Sequence, residues 1–290
     1  MSGNDQQYRL VALDIDGTVL NSKQEITDHL KDTLAALADR SVRTVLCTGR
    51  RWRSTMPVLE ELDHVHPVVV CSGGALIKRA DDQRTLYTMP LKHKTAREAI
   101  RLFRQSGLVP FLLYDRPLEQ RELKLPANDR GRADELPYVQ VNGEWMDTYP
   151  GRYAGGGDPP LVIYTVDAES RVRAAEADIR DGLVGKATIK AMFQERFGPD
   201  QIALEVHDPG ASKWHALQWL IDRWELQPGQ VIAVGDDVND IPMLEAAGLS
   251  FAMGNALPEV KQAAQAVTSS NDEDGVAAAL RSVFLQDAPE

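Results

Sequence analysis

Two cysteines, a 6% share of aromatic residues and no apolar run of membrane-spanning length set the first limits on this 290-residue chain. Cys47 and Cys71 each close a short apolar stretch, and so sparse a cysteine content predicts buried, reduced thiols in a cytoplasmic protein. A disulfide or a catalytic thiol is the alternative. Positive charge is also in short supply: 32 Lys and Arg against 43 Asp and Glu leave a formal net charge of −11. That balance argues against a nucleic-acid surface and against an anionic membrane surface as partner. Met1 to Gln7 is polar, with no basic segment leading into an apolar one, so no secretory signal is expected. The 43% of apolar residues suffices for one large domain or two ordinary ones.

What the sequence does contain is a set of polar turns that follow short apolar strands. Tyr8 to Leu13 reads as a buried strand, and Leu13-Asp14-Ile15-Asp16-Gly17-Thr18 carries two carboxylates at alternate positions where it breaks into a glycine turn. Residues i and i+2 of a strand point to one face. One carboxylate can therefore attack while its neighbour handles a proton. The plainer alternative is an Asp-Gly turn that ends a strand. A second acidic turn, Gly235-Asp236-Asp237-Val238-Asn239-Asp240, follows the apolar Val231-Ile232-Ala233-Val234. A third strand, Arg43 to Cys47, ends in Thr48-Gly49-Arg50, whose hydroxyl and amides suit phosphate oxygens, and Lys213 opens a helical stretch. In an open parallel sheet, ligands bind beyond the carboxyl ends of the strands, so these groups can converge there. An anionic phosphorylated ligand on an acidic protein needs local positive charge, which favours a divalent cation.

In this combination the chain resembles the haloacid dehalogenase-like superfamily, in particular its Cof-type phosphatase branch. Asp14-Ile15-Asp16-Gly17-Thr18 is similar to the first family motif, Thr48-Gly49-Arg50 to the second, Ser212-Lys213 to the third and Gly235 to Asp240 to the fourth. Ala252-Met253-Gly254-Asn255-Ala256, Val267-Thr268 and Asn271 to Val276 also resemble segments of that branch. The resemblance implies an α/β fold with a Rossmann-like parallel-sheet core, covering helices and an inserted α/β cap. It further implies a small hairpin flap between Gly17 and Glu25.

The strand and helix pattern divides the chain in the same way. Residues 1–84 and 197–290 read as the catalytic core, with helix near Thr27 to Asp39, and residues 85–196 as the substrate-specificity cap. Ile26, Leu30, Leu34 and Leu37 should face the sheet, with Lys31, Asp32 and Asp39 in water. Ile202 to Val206 is expected back in the core, with hinges near Arg84 and Gly198. Arg116 to Pro160 is too long for a simple connection. Its Trp145, Tyr149 and Tyr153, near Gly155-Gly156-Gly157, either stack on a substrate ring or pack the loop. Trp214, Leu217, Leu220, Ile221 and Trp224 recur at helical spacing and read as core.

The expected activity is a magnesium-dependent phosphatase for a small phosphorylated metabolite, a sugar phosphate or phosphorylated cofactor. Asp14 would be the nucleophile that forms an aspartyl-phosphate, Asp16 the general acid and base, and Lys213 and Thr48 the groups that stabilise the phosphoryl oxygens. The resemblance assigns Mg2+ to the side chains of Asp14 and Asp236 and the backbone carbonyl of Asp16, with Asp240 in support. Asp237 is held as a solvent or supporting group. Gly17, Thr18, Gly49, Arg50 and Asn239 are the candidate substrate contacts. Two residues depart from the branch: Gly73 stands where asparagine is common, and Trp214 where glycine is frequent. The alternatives are phosphotransfer to another hydroxyl, as in sugar phosphomutases, or a non-catalytic phosphometabolite sensor. Cys47 and Cys71 could lie near the site and make activity sensitive to oxidation. Oligomeric state is not legible.

Overall fold

The computed structural model describes residues 7–62, 65, 67–150, 153, 155 and 157–285; Met1 to Gln6 and Gly156 lie outside the described residues. Two compact units divide the chain, one made of the part up to Tyr87 and the part from Ser212 onward, the other of Thr88–Ala211. The first unit begins with β1 (Leu10–Leu13), α1 (Asp28–Asp39), β2 (Arg43–Cys47), α2 (Trp52–Glu61), β3 (Val68–Cys71), β4 (Leu76–Arg79) and β5 (Thr85–Thr88). The second unit comprises α3 (His93–Gln105), β6 (Phe111–Leu113), β7 (Leu123–Pro126), α4 (Arg130–Ala133), α5 (Pro137–Asn142), β8 (Met146–Tyr149), β9 (Val162–Ala168), α6 (Glu169–Gly182), β10 (Thr188–Phe193) and β11 (Gln201–His207). The first unit resumes with α7 (Lys213–Arg223), β12 (Val231–Gly235), α8 (Ile241–Ala246), β13 (Leu249–Ala252), α9 (Pro258–Ala263), β14 (Ala266–Val267) and α10 (Gly275–Phe284).

The large sheet has the order β14-β13-β12-β1-β2-β3-β4-β5 and is parallel from β14 through β3, with β4 antiparallel to β3. Its central strands β1, β3 and β12 are buried along their whole length. That is why they read as unbroken apolar runs rather than alternating ones. From β1 the chain steps through β2 to β3 on one side, and β12, β13 and β14 build the other side. The strand order therefore reverses between β1 and β12, the point where such sheets open a crevice. Leu13 lies opposite both Val234 and Leu46, so the three neighbouring strands end within one residue of the same level. Asp14, Thr48 and Asp236 emerge side by side as a result.

Helix α1 starts where its chemistry dictates: the Thr27 hydroxyl accepts the Leu30 N–H at 3.2 Å, and Leu30, Leu34 and Leu37 are buried. Lys31 is not simply in water, because its ammonium pairs with Glu61 of α2 at 2.9 Å. The segment from Gly17 to Glu25 forms turns rather than a hairpin of strands. One bridge joins Asp16 to Leu20, and the Asn21 N–H donates to the Glu25 carbonyl at 3.1 Å.

The second sheet has the order β10-β11-β9-β6-β7-β8. Here the structure corrects the expectation that Ile202 to Val206 returns to the core. Strand β11 pairs antiparallel with β9 over its full length and with β10 from Ile202 to His207, and Ile202, Leu204 and Val206 join the apolar cluster under α3 and α6. The chain consequently crosses between units at Tyr87–Thr88 and Ala211–Ser212, not near Arg84 and Gly198. The described residues between 116 and 160 form regular elements. They supply β7, β8 and the short helices α4 and α5, and β7 pairs antiparallel to β6 and parallel to β8. Tyr149 and Tyr153, both partly buried, pack against the α3 and α6 cluster. In α7, Leu217, Leu220 and Ile221 are buried, while the Trp224 ring is half-buried under the Arg43 guanidinium, 4.9 Å away.

Candidate active site

The centre of the site is a buried ammonium group. Lys213 is the first residue of α7, whose start is capped by the Ser212 hydroxyl accepting the His215 N–H at 3.1 Å. Its side chain is 2% exposed, and Nζ donates to Asp14 Oδ1 at 2.6 Å and to Asp240 Oδ1 at 2.7 Å. Burial alone would favour the neutral amine, but the Asp14 and Asp240 carboxylates outweigh it and hold Lys213 protonated, above the ordinary lysine range. For Asp14, burial pushes the carboxyl well above its usual range, Lys213 opposes that shift, and Asp240 and Asp236 add to it by repulsion. Burial likewise pushes Asp236 up to about 6, against the hydrogen bond from Thr18 and with repulsion from Asp240 and Asp237.

Each neighbouring residue holds a carboxylate in place. Asp240 gives its second oxygen to the N–H groups of Asp236 and Asp237, at 3.2 and 3.1 Å, which locks the acidic turn onto its own last member. The Thr18 hydroxyl donates to Asp236 Oδ1 at 3.0 Å. Gly17 has φ +76°, and a Cβ there would sit 2.3 Å from Asp236 Oδ2. Only glycine gives both that backbone conformation and that space. Gly235 answers the same demand from the other strand, since its Cβ would lie 2.6 Å from the Asp240 carboxyl.

Oxygens of Asp14, Asp236 and Asp240 lie within 4.8 Å of one another. The Lys213 ammonium pairs with two of these three carboxylates, and oxygen donors crowded in this way suit a hard divalent cation. The residues therefore fit the metal that the sequence implies. Asp16 points elsewhere: its carboxylate is half-exposed and is gripped by Arg50, with Nε at 2.9 Å from Oδ2 and Nη2 at 2.5 Å from Oδ1.

A family model described as haloacid dehalogenase-like hydrolase matches residues 11–280. The chain belongs to that family. It is 29% identical to YxeH of Bacillus subtilis over 96% of this chain and 99% of the relative. It is 27% identical to YwtE of Bacillus subtilis, a 5-amino-6-(5-phospho-D-ribitylamino)uracil phosphatase, over 93% of this chain and 96% of that one. Among solved structures, a haloacid dehalogenase-like hydrolase from Bacteroides thetaiotaomicron superposes with a TM-score of 0.77 at 27% identity, covering 96% of this chain and 100% of the other.

Within this hydrolase, four of the five candidate substrate contacts have hydrogen-bond partners of their own. The Gly17 carbonyl accepts from Asn255, Thr18 is spent on Asp236, and Arg50 is spent on Asp16. Asn239 donates to Asp237 at 3.1 Å, while its Oδ1 is buried with no hydrogen-bond partner among the described residues. Beside Gly49 a Cβ would meet nothing within 4 Å, so this glycine leaves open space. The Thr48 hydroxyl accepts the Arg50 N–H at 3.0 Å, which leaves its own proton to donate. Asp237 is exposed and caps the turn, accepting the Val238 N–H at 2.8 Å. Cys47 is fully buried, and burial pushes its thiol up, away from the reactive thiolate. Cys71 is buried too, so the fold works against the oxidation sensitivity considered for this pair.

The tail segments carry a role that sequence reasoning left blank. Asn255 Nδ2 donates to the Gly17 carbonyl at 2.9 Å, and Asn255 Oδ1 accepts the Asn271 N–H at 3.0 Å. Asn271 Nδ2 reaches the Leu20 carbonyl at 2.9 Å, and Asp272 accepts the Ser22 N–H at 2.8 Å. Two asparagines far along the chain thus tie down the turn that follows Asp14. Gly17→Ala forces the left-handed turn and the Asp236 contact together, so it should destabilise the fold by about 1–3 kcal/mol. Asn255→Ala removes one tether and should cost about 1 kcal/mol. Urea unfolding of both variants checks the order, and a Gly17→Ala protein as stable as the wild type would contradict the geometry.

Proposed function

We propose that this hydrolase is a magnesium-dependent phosphatase that cleaves small phosphorylated metabolites through an aspartyl-phosphate on Asp14. The observation that carries the reading is the Lys213 ammonium held between Asp14 and Asp240, with a carboxylate oxygen of Asp236 within 4.8 Å of theirs. Attack on a phosphate dianion requires a carboxylate whose charge is offset at the point of attack. Lys213 offsets it from the protein side. A magnesium ion held by Asp14 and Asp236, with the Asp16 carbonyl and Asp240 in support, would offset the phosphoryl charge.

The covalent cycle then needs two proton transfers. As Asp14 forms its bond to phosphorus and the ester oxygen departs, Asp16 gives that oxygen a proton. When water attacks the phosphorus and the bond to Asp14 breaks, Asp16 takes a proton from the water. Thr48 and nearby amides donate to phosphoryl oxygens. Residues 88–211 are proposed to recognise the organic part of the substrate. YwtE, by its name, acts on a phosphate at the end of a ribityl chain, which supports a primary alkyl phosphate as the substrate class. The sparse cysteine content, Cys47 and Cys71 both buried, supports a reducing compartment such as the cytoplasm.

Phosphate release from a panel of phosphorylated sugars, nucleotides and cofactors tests the reading. Magnesium-dependent release abolished by Asp14→Asn is expected; silence of the wild type across the panel would contradict it. Lys213→Ala should lower turnover roughly 100- to 1,000-fold. It should also lower stability, because it leaves Asp14 and Asp240 buried without their counter-charge.

The raised Asp236 supplies a pH test of the metal. Its folded-state value of about 6 exceeds the unfolded one, so the folded chain binds the proton more tightly and metal-free stability falls as pH rises through that value. Below it, a cation must displace the proton. The magnesium-induced rise in melting temperature should be small near pH 5 and full above about pH 7. A rise that does not vary with pH would contradict this site.

A further inference from the structure

We propose that Arg50 is a positioning residue that fixes the Asp16 carboxyl for proton transfer to the leaving group, and that it does not bind the substrate phosphate. The inference rests on the phosphatase reading. It starts from where the guanidinium spends its donors. Nε lies 2.9 Å and 3.2 Å from the two Asp16 oxygens, and Nη2 lies 2.5 Å from Oδ1. Nη2 also donates to Gln24 Oε1 at 2.8 Å, and Nη1 reaches the Ser54 carbonyl at 3.4 Å. A planar fork committed to a carboxylate on one edge and to two further acceptors has little left for a phosphate.

The mounting of Arg50 is as specific as its grip. Its N–H donates to the Thr48 hydroxyl at 3.0 Å, and its carbonyl accepts the Ser72 N–H at 2.8 Å. The residue is therefore anchored at both ends of its peptide unit to segments that follow β2 and β3. Gln24, the second acceptor, sits in the turn after Asp16 with φ +63°. Arg50 thus bridges the carboxyl of Asp16 to a turn eight residues further along the chain. Asp16 needs such a bridge because, unlike Asp14, it has no buried partner: its side chain is 52% exposed against 7% for Asp14. A half-exposed carboxylate on a turn samples several rotamers in water, and proton transfer demands one of them. The contact with Arg50 selects it, and in the acid form one Asp16 oxygen carries the proton while the other goes on accepting from the guanidinium.

The chemistry offers a test that separates positioning from phosphate binding. An alkyl phosphate needs its leaving oxygen protonated as the phosphorus–oxygen bond breaks, whereas p-nitrophenyl phosphate releases an anion stable near neutral pH and needs no acid. Because kcat/KM reports only the steps through leaving-group departure, it isolates the transfer from Asp16. For Arg50→Gln, kcat/KM should fall at least tenfold or so with the best primary-alkyl phosphate of the panel. With p-nitrophenyl phosphate it should stay within about threefold of wild type, and KM for the alkyl ester should be little changed. Arg50→Lys keeps the charge but loses the fork, and should show the same asymmetry at reduced size. Equal losses on the two esters, or a loss confined to KM, would assign Arg50 to the phosphate and overturn the proposal. An alkyl kcat/KM at wild-type level in both variants would overturn it as well. Wild-type protein inert on both esters would instead overturn the phosphatase reading itself.

Discussion

Burying one lysine against two aspartates is the constraint around which the first unit is arranged. An ammonium removed from water is stable only if opposite charges and hydrogen bonds replace its hydration, and Lys213 has two carboxylates within 2.7 Å. Those carboxylates come from chain segments far apart in sequence, one after β1 and the other in the turn after β12. The ion pair therefore joins the first strand, the acidic turn and the start of α7. The surrounding details serve that meeting. Gly17 and Gly235 lack side chains where carboxylates must pass, Thr18 steadies Asp236, and the amides of Asp236 and Asp237 hold the far oxygen of Asp240.

The same turn that buries Asp14 leaves Asp16 half in water, and the proposed cycle uses this asymmetry. One carboxylate is enclosed among charges and suited to attack. The other is held by a guanidinium at the rim, where protons can be exchanged. A strand of period two that breaks at a glycine produces both environments within three residues. Asn255 and Asn271 then restrain the turn from the opposite end of the chain.

Much of this was legible in the sequence because the informative residues sit at strand ends. Val231 to Val234 and Leu10 to Leu13 are apolar throughout, so the acidic residue after each strand marks where the chain leaves the sheet. The helical spacing of Leu30, Leu34 and Leu37 likewise gave the buried face of α1. What depended on partners was not legible. Strand β11 has the composition of a core strand, and only its pairing with β9 and β10 assigns it to the second unit. Arg50 carries the charge expected of a phosphate contact, but its commitment is decided by Asp16 and Gln24, residues more than twenty positions away. The short strands and helices between 116 and 160 escaped for a local reason, since runs of four to six residues hold too few turns or pleats to display a period.

The most direct measurement is to quench the magnesium-loaded protein with acid during turnover of its best substrate and map the phosphoryl group by peptide mass spectrometry. A phosphoryl group on the peptide bearing Asp14, reduced to homoserine at that position by borohydride and absent in Lys213→Ala under the same conditions, is the expected result. Turnover with no phosphorylated peptide at any quench time, or with the group on another residue, would contradict Asp14 as the nucleophile that Lys213 holds in place.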